Sequence, residues 1–390
     1  MAPRSRGRFL PVLALVALLA LAVTAARGAP KRDVSLLRES QAGARRALLH
    51  LKSTQGEDGS WSDHPAITAL VVMAMVGSGQ DDFGPASDPV RSGLDFIRSH
   101  AKPEGGIYDQ FYPSYSTSVC AQALFAAGTP EDEALVRNAR RFLLDSQADE
   151  SEGFTPDSLE YGGWGYEISP SREETHRADL SNTQLALEAL RQLEALDEQD
   201  RARSAAPDWA QTPTEVAYGR AIKFLERCQN LDETNNQDWA SDDGGFVYRP
   251  GESKAGESPD GGLRSYAGMT YAGLKSMLYA RLDRDDPRVR AAYEWACRHW
   301  SVTENPGLGQ QGLYYYYVTM ARALQVYGTE LVVDAEQASH DWRRELVSQL
   351  LTVQRADGSW VNENGRWLEQ IPDLVTAYGL LAIQHATEGW

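Results

Sequence analysis

The sequence predicts an all-α protein, an (α/α)6 toroid in which six outer and six inner helices form a double ring. Two observations lead there. The chain repeats one unit six times: an amphipathic helix, a glycine turn, and a second helix that is apolar nearly all round. The first and the last unit also carry the same seven-residue motif, as expected of units that meet. The unit is clearest between Tyr218 and Arg281. There YGRAIKFLERCQ has a one-sided stripe of Tyr218, Ile222 and Leu225. Asp243-Gly244-Gly245-Phe246 follows, and then the small, apolar helix SYAGMTYAGLKSMLYAR. A helix with one apolar stripe covers a core from outside, and one that is apolar all round is itself covered.

In chain order, residues 1–26 read as a secretory signal peptide. Arg4, Arg6 and Arg8 precede the apolar run Phe9 to Val23, and small residues Thr24, Ala25 and Ala26 end it. Cleavage is expected near Ala25 or Ala26, which places the protein in a secreted or periplasmic setting, with no integral membrane span after cleavage. An uncleaved anchor is the alternative. Residues 27–43 read as a polar lead-in, and 44–390 as one toroid domain.

The first unit is ARRALLHLKSTQ, the turn Gln55 to Trp61, and AITALVVMAMV, with Asp63 placed to cap the second helix. The second is VRSGLDFIRSH, Gly105-Gly106-Ile107-Tyr108, and YSTSVCAQALFAAG. The third is VRNARRFLLDSQ, a long loop with Gly162-Gly163-Trp164-Gly165-Tyr166, and LSNTQLALEALRQL. A polar connector, 194–214, leads to the fourth unit. The fifth is VRAAYEWACRHW, Gln311-Gly312-Leu313, and YYYYVTMARALQVYG. The sixth is WRRELVSQLLTVQ, the turn Gln354 to Trp360, and LVTAYGLLAIQ. An open solenoid needs polar caps on its end repeats, and neither end unit has one, so closure is expected. In the turns, Asp-Gly takes the tight corner. The following Trp or Phe is expected to cover the preceding helix end, and the preceding Gln to bond the free carbonyls there.

The chain carries 38 Lys+Arg against 55 Asp+Glu, a net charge of −17. Removing the signal's three basic residues takes it to about −20, which argues against nucleic acid and anionic membrane surfaces as partners. Cys120, Cys228 and Cys297 are too few for a disulfide framework. Cys228 and Cys297 fall near the ends of successive outer helices, where two buried thiols are favoured over a bridge.

Gln55-x-x-Asp58-Gly59-Ser60-Trp61 and Gln354-x-x-Asp357-Gly358-Ser359-Trp360 resemble the Gln-Trp motifs of squalene and oxidosqualene cyclases. Asp243-Gly244-Gly245-Phe246, Pro250-Gly251 and SYAGMTYAGL resemble the repeats of protein prenyltransferase β subunits. The resemblance covers roughly residues 40–385 and implies the α/α toroid. It implies chemistry less well, because function lives in the site. The cyclases start from the middle Asp of D-x-D-D at an inner-helix start. By context that stretch is Asp179-Leu180-Ser181-Asn182, with Ser181 at the middle position. Asp283-Arg284-Asp285-Asp286 fits the pattern but precedes an outer helix and Pro287, as an N-cap does. The prenyltransferase zinc ligands are missing too. Asp260-Gly261-Gly262 lacks the Cys, and Tyr315-Tyr316 stands where the resemblance implies a Tyr-His pair, so no metal and no cofactor are expected.

Inner-helix starts and the loops before them should rim one mouth of the central cavity. The candidate catalytic residues there are Asp179, His176 and Asp373. Candidate ligand contacts are Asp63, His64, Tyr115, Trp164, Tyr166, Arg264, Tyr266, Tyr315, Tyr316 and Trp367. Aromatic rings beside a few acids suit an isoprenoid or other apolar chain. They also suit a sugar, which a carboxylate pair could hydrolyse or eliminate. A non-catalytic scaffold binding a protein partner through loops 148–178 and 229–262 is the third reading.

Overall fold

The computed structural model describes residues 33–166, 178–204, 210–259 and 261–390. The signal-peptide segment, His176 and Asp260 lie outside them. The described residues form thirteen α-helices and two small antiparallel β-hairpins.

Six helix pairs build the ring. They are α1 (Val34–Thr54) with α2 (Pro65–Val76), α3 (Asp88–Ser99) with α4 (Pro113–Ala127), and α5 (Glu133–Asp145) with α6 (Leu180–Gln192). After the extra helix α7 (Ala195–Ser204) come α8 (Pro213–Cys228) with α9 (Ala267–Tyr279), α10 (Pro287–Arg298) with α11 (Leu313–Tyr327), and α12 (Trp342–Val353) with α13 (Pro372–Thr387). Each second helix packs on the next, α2–α4–α6–α9–α11–α13, and α13 packs back on α2. The inner ring is closed. The outer helices cover it, and α12 meets α1 across the seam.

Local sequence explains the element ends. Proline occupies the first turn of α2, α3, α4, α8, α10 and α13, where its missing N–H costs nothing. Asp33, Asp179, Asp286 and Asp341 cap α1, α6, α10 and α12 through their side chains. Thr212 and Glu215 make a reciprocal capping box on α8. Asp286 is thus a cap, as its context in the sequence indicates.

The glycine turns do more than turn. Gly59 has φ +86°, and a Cβ there would lie 2.4 Å from the Ser92 carbonyl oxygen of α3. Gly358 has φ +90°, with the Arg46 oxygen of α1 at 2.5 Å. Each turn is pressed against the outer helix of the following unit, and the last turn against the first unit. The preceding glutamine follows the same direction. Gln55 Nε2 donates to the Gly59 and Pro89 carbonyls, Gln147 to those of Gly162 and Ala217, Gln229 to those of Gly244 and Arg288, and Gln354 to those of Gly358 and Gly43. This corrects the expectation that glutamine serves its own helix end. That task falls to the tryptophans: Trp61, Trp164 and Trp360 donate their indole N–H groups to the carbonyls of Leu51, Leu143 and Leu350.

Two further details depart from the sequence reading. The helix α1 begins at Val34, so most of the expected lead-in is helical. In the fifth unit Gly312 is the N-cap of α11 at φ +63° rather than a turn of the common kind. The cysteines are free thiols, with Cys120 and Cys228 buried and Cys297 half-buried.

Candidate functional site: a tyrosine-lined cavity at the ring centre

The N-terminal ends of the inner helices surround a cavity of about 500 Å³. The size suits a small-molecule site, for which about 300–1,000 Å³ is usual. Its wall follows from the fold. Each inner helix must turn its first residues toward the axis, and the turns before it supply the collar. Thus α2 brings Ala66 and Ile67, α4 Tyr115, α6 Ser181, α9 Gly268 and Met269, α11 Tyr315, and α13 Leu374 and Tyr378. The collar adds His64, Tyr112, Tyr166, Tyr248, Lys254, Tyr266, Trp367 and Leu368.

Tyrosines dominate this wall. Across the ring the Tyr115 and Tyr378 hydroxyls are 3.1 Å apart, and Tyr315 crosses Tyr378 edge-on at 6.2 Å between ring centres. Tyr112 meets Tyr166 edge-on at 5.1 Å. Gln184 Nε2 donates to the Tyr315 hydroxyl at 3.0 Å. Burial pushes the Tyr115, Tyr166, Tyr266 and Tyr378 hydroxyls above the usual phenol range, so they stay neutral. Three collar residues, Tyr112, Trp367 and Leu368, have φ of 59°, 57° and 66°. Bulky side chains rarely adopt that region, and strain of this kind collects at functional sites.

Toward the C-terminal ends of the inner helices the centre is filled by charge. Lys275 Nζ lies 2.6 Å from Glu188 Oε2, and Arg322 Nε lies 3.1 Å from Oε1 of the same carboxylate. Tyr279 also donates to Glu188 and accepts from Arg322. Burial works to raise Glu188, but the two cations outweigh it and hold the carboxyl down at about 2. Cations also suit helix C-termini.

Of the sequence-nominated residues, His64, Tyr115, Tyr166, Tyr266, Tyr315 and Trp367 line the cavity. The others are placed elsewhere. Asp179 is buried at the α6 N-terminus, with its carboxylate accepting from the Asn182 N–H at 3.0 Å and Nδ2 at 2.8 Å. Burial pushes its carboxyl up to about 7, while the Asn182 bonds pull the other way. Asp373 is a seam residue, accepting from Thr54 Oγ1 at 2.7 Å and Ser62 Oγ at 2.8 Å. Asp63 is exposed, and the α2 cap is His64, whose Nδ1 accepts from Ala66 N. Trp164 is fully buried on Leu143. Tyr316 is fully buried with its hydroxyl on the Ser301 carbonyl, away from the axis. Arg264 is exposed. His176 is outside the described residues.

Sequence reasoning missed Tyr248, Tyr378, Lys254 and Glu369. Tyr378 stands one turn after Leu374 on α13, a spacing that places both on one face. Tyr248 sits two residues after the turn Phe246, in the loop before α9, with no periodic signal to mark it. Glu369 caps α11 by accepting from Tyr315 N at 2.8 Å, and burial pushes its carboxyl up to about 7.

No family model and no curated protein matches the sequence. Solved structures do. A variant of the type II terpene cyclase MstE from Scytonema, bound to geranylgeranyl dihydroxybenzoate, matches with a TM-score of 0.55 and 14% identity over 90% of this chain and 98% of that chain. The same cyclase without ligand matches at 0.54 and 12% identity over 90% and 99%. A glycosidase variant matches at 0.49 and 13% identity over 90% and 97%. At such identity the likeness concerns the fold, and in its fold this chain is a terpenoid-cyclase-like α/α toroid.

Proposed function

We propose that this is an exported binding protein or enzyme that takes an isoprenoid or other apolar chain into its central cavity. The observation that carries the reading is the cavity wall itself. Tyrosine faces, Ile67, Met269 and Leu374 form most of it, and among the described residues lining it there is no Asp or Glu. Aromatic and aliphatic surface stabilises a desolvated chain at roughly 25 cal/mol per Å² of apolar area buried. Sugar hydrolysis requires a carboxylate pair flanking the bond, which makes a carbohydrate the weaker reading. Ser181 stands on the cavity wall at the start of α6, and a serine hydroxyl is too weak an acid to protonate an alkene. The chemistry of the cyclases is therefore not carried over. Export is supported by the basic, apolar and small-residue order of residues 1–26.

The deciding experiment is mass spectrometry of the purified protein under native conditions and after solvent extraction. A polyprenol, hopanoid or fatty chain released in near-stoichiometric amount supports the reading. A protein that releases none and shows no melting shift across a lipid panel rejects it. Intact mass shows in the same run whether residues 1–26 have been removed.

A further inference from the structure

The two sides of the cavity differ in chemistry. In the inner ring, α6 and α9 stand opposite α13 and α2. The α13–α2 side contributes Ala66, Ile67, Leu374 and Leu368, with His64 and Tyr378 as its polar members. The α6–α9 side, with the loop before α9, contributes Met269 beside Ser181, Tyr166, Tyr248, Tyr266 and Lys254.

On this second side polar atoms are left over. Tyr266 is 3% exposed, yet its hydroxyl has no hydrogen-bond partner among the described residues, and it lines the cavity. The hydroxyls of Tyr166 and Tyr248 are likewise unpartnered among the described residues. These hydroxyls border the cavity, those of Tyr166 and Tyr248 on half-buried residues, so three donors on one wall are open to an acceptor. Beside them, Lys254 Nζ sits 4.2 Å above the Tyr248 ring and Arg249 is 5.6 Å from the same ring. Both cations pair with the single carboxylate of Glu252. Two cations on one carboxylate leave one positive charge in excess while the nearby Asp179, whose carboxyl burial raises to about 7, keeps its proton, in a chain whose net charge is −17.

We infer that the apolar ligand carries one carboxylate head, held by the hydroxyls of Tyr166, Tyr248 and Tyr266 with Lys254, while its tail lies against Ile67 and Leu374. This rests on the apolar-chain reading and narrows it. Phenol O–H and ammonium N–H groups are donors, so the head must accept. A single excess charge matches a monoanion. A diphosphate would bring surplus negative charge beside Glu252.

The test compares one C20 chain with three heads: geranylgeranoic acid, geranylgeraniol and geranylgeranyl diphosphate. Each is titrated into the purified full chain at pH 6 by intrinsic fluorescence, with melting shifts in parallel. The acid is expected to bind at least tenfold tighter than the alcohol and the diphosphate. Lys254→Gln and Tyr266→Phe are each expected to weaken the acid about tenfold and the alcohol by clearly less, with an unchanged melting temperature of the unliganded variants reporting intact folding. Equal affinity for acid and alcohol overturns the carboxylate head and leaves the apolar-chain reading standing. Preference for the diphosphate overturns it in favour of a phosphorylated head. Failure of all three to bind overturns both readings.

Discussion

Thr54 and Asp373 stand 319 positions apart in sequence, yet Thr54 Oγ1 donates to Asp373 Oδ1 at 2.7 Å. The other oxygen of Asp373 accepts from Ser62 at 2.8 Å, so one carboxylate ties the last inner helix to the end of α1 and the turn after it. Asp373→Ala removes both bonds at once. Hydrogen bonds to a charged group are worth about 1.5–3 kcal/mol each in favourable cases, and a loss of about 2 kcal/mol is expected in denaturant unfolding. Ligand affinity is expected to stay within twofold. A variant that keeps its stability and loses its ligand would return Asp373 to the site.

Gly59→Ala should be costly for a reason local to the turn. The added Cβ would lie 2.4 Å from the Ser92 oxygen, at a φ of +86° that alanine avoids. Strain of that order costs about 2–4 kcal/mol. Gly79 also has positive φ but open space around the built Cβ. Gly79→Ala should therefore lose about 1 kcal/mol or less. Thermal melts of the two variants side by side separate crowding from conformation.

Lys275→Met leaves Glu188 buried with Arg322 as its remaining cation. Breaking a buried pair costs about 3–5 kcal/mol, whereas replacing both members with apolar groups is often neutral. Glu188→Leu would strip Arg322 of its carboxylate as well, so Lys275→Met, Glu188→Leu and Arg322→Met together should be more stable than Lys275→Met with Glu188→Leu. A mutant cycle over the three positions measures the differences, and simple additivity would contradict the pairing.

Asp179 gives a pH dependence of unusual sign. Its carboxyl is raised from an ordinary 3.8 to about 7 in the fold, mainly by burial. The folded state therefore holds the proton more tightly than the unfolded chain. The associated stability is fully present below about pH 4 and is lost as pH rises toward 7. Asp179→Asn keeps a capping side chain and removes the titration. It should stabilise the protein at pH 8 by about 2–4 kcal/mol and change little at pH 4. Equal unfolding curves for the two proteins at pH 8 would show that Asp179 is ionised at no cost.

Filling the cavity tests it without touching a polar group. Leu374→Trp adds bulk on the α13 wall. Overpacking costs about 1–3 kcal/mol, so the ring should survive while any extracted lipid falls at least tenfold by mass spectrometry.

Much of the ring was legible because its rules are periodic. Asp-Gly before an aromatic marks the corners of the first, fourth and sixth units, and the contrast between the one-sided α8 and the evenly apolar α9 separates outer from inner helices. What a position faces on an inner helix was not legible. A helix buried on all sides carries no polar face to orient it, so neighbours such as Tyr315 and Tyr316 read alike. One lines the cavity and the other packs outward on Ser301. Asp179 stands out in sequence because its context resembles the cyclase acid helix; in the structure its carboxylate caps α6, and that of Asp373 spans the seam. Glutamine was misassigned because its second partner belongs to the following unit, a relation between units that the pattern within one unit does not carry. Lys254 and Tyr248 sit in a long loop whose path toward the axis no periodicity announces.

The seam also imposes an order in time. Gln354 reaches Gly43, Gln384 reaches Ala74, and Asp373 reaches Thr54, so the first unit lacks half its neighbours until the sixth has been synthesised. A solenoid can grow stably from one end as it leaves the ribosome. This ring cannot: its earliest helices must wait with apolar flanks uncovered, and the slow search for contacts so distant in sequence falls at the end of synthesis. Chaperone dependence should therefore be greatest for chains arrested just short of α12.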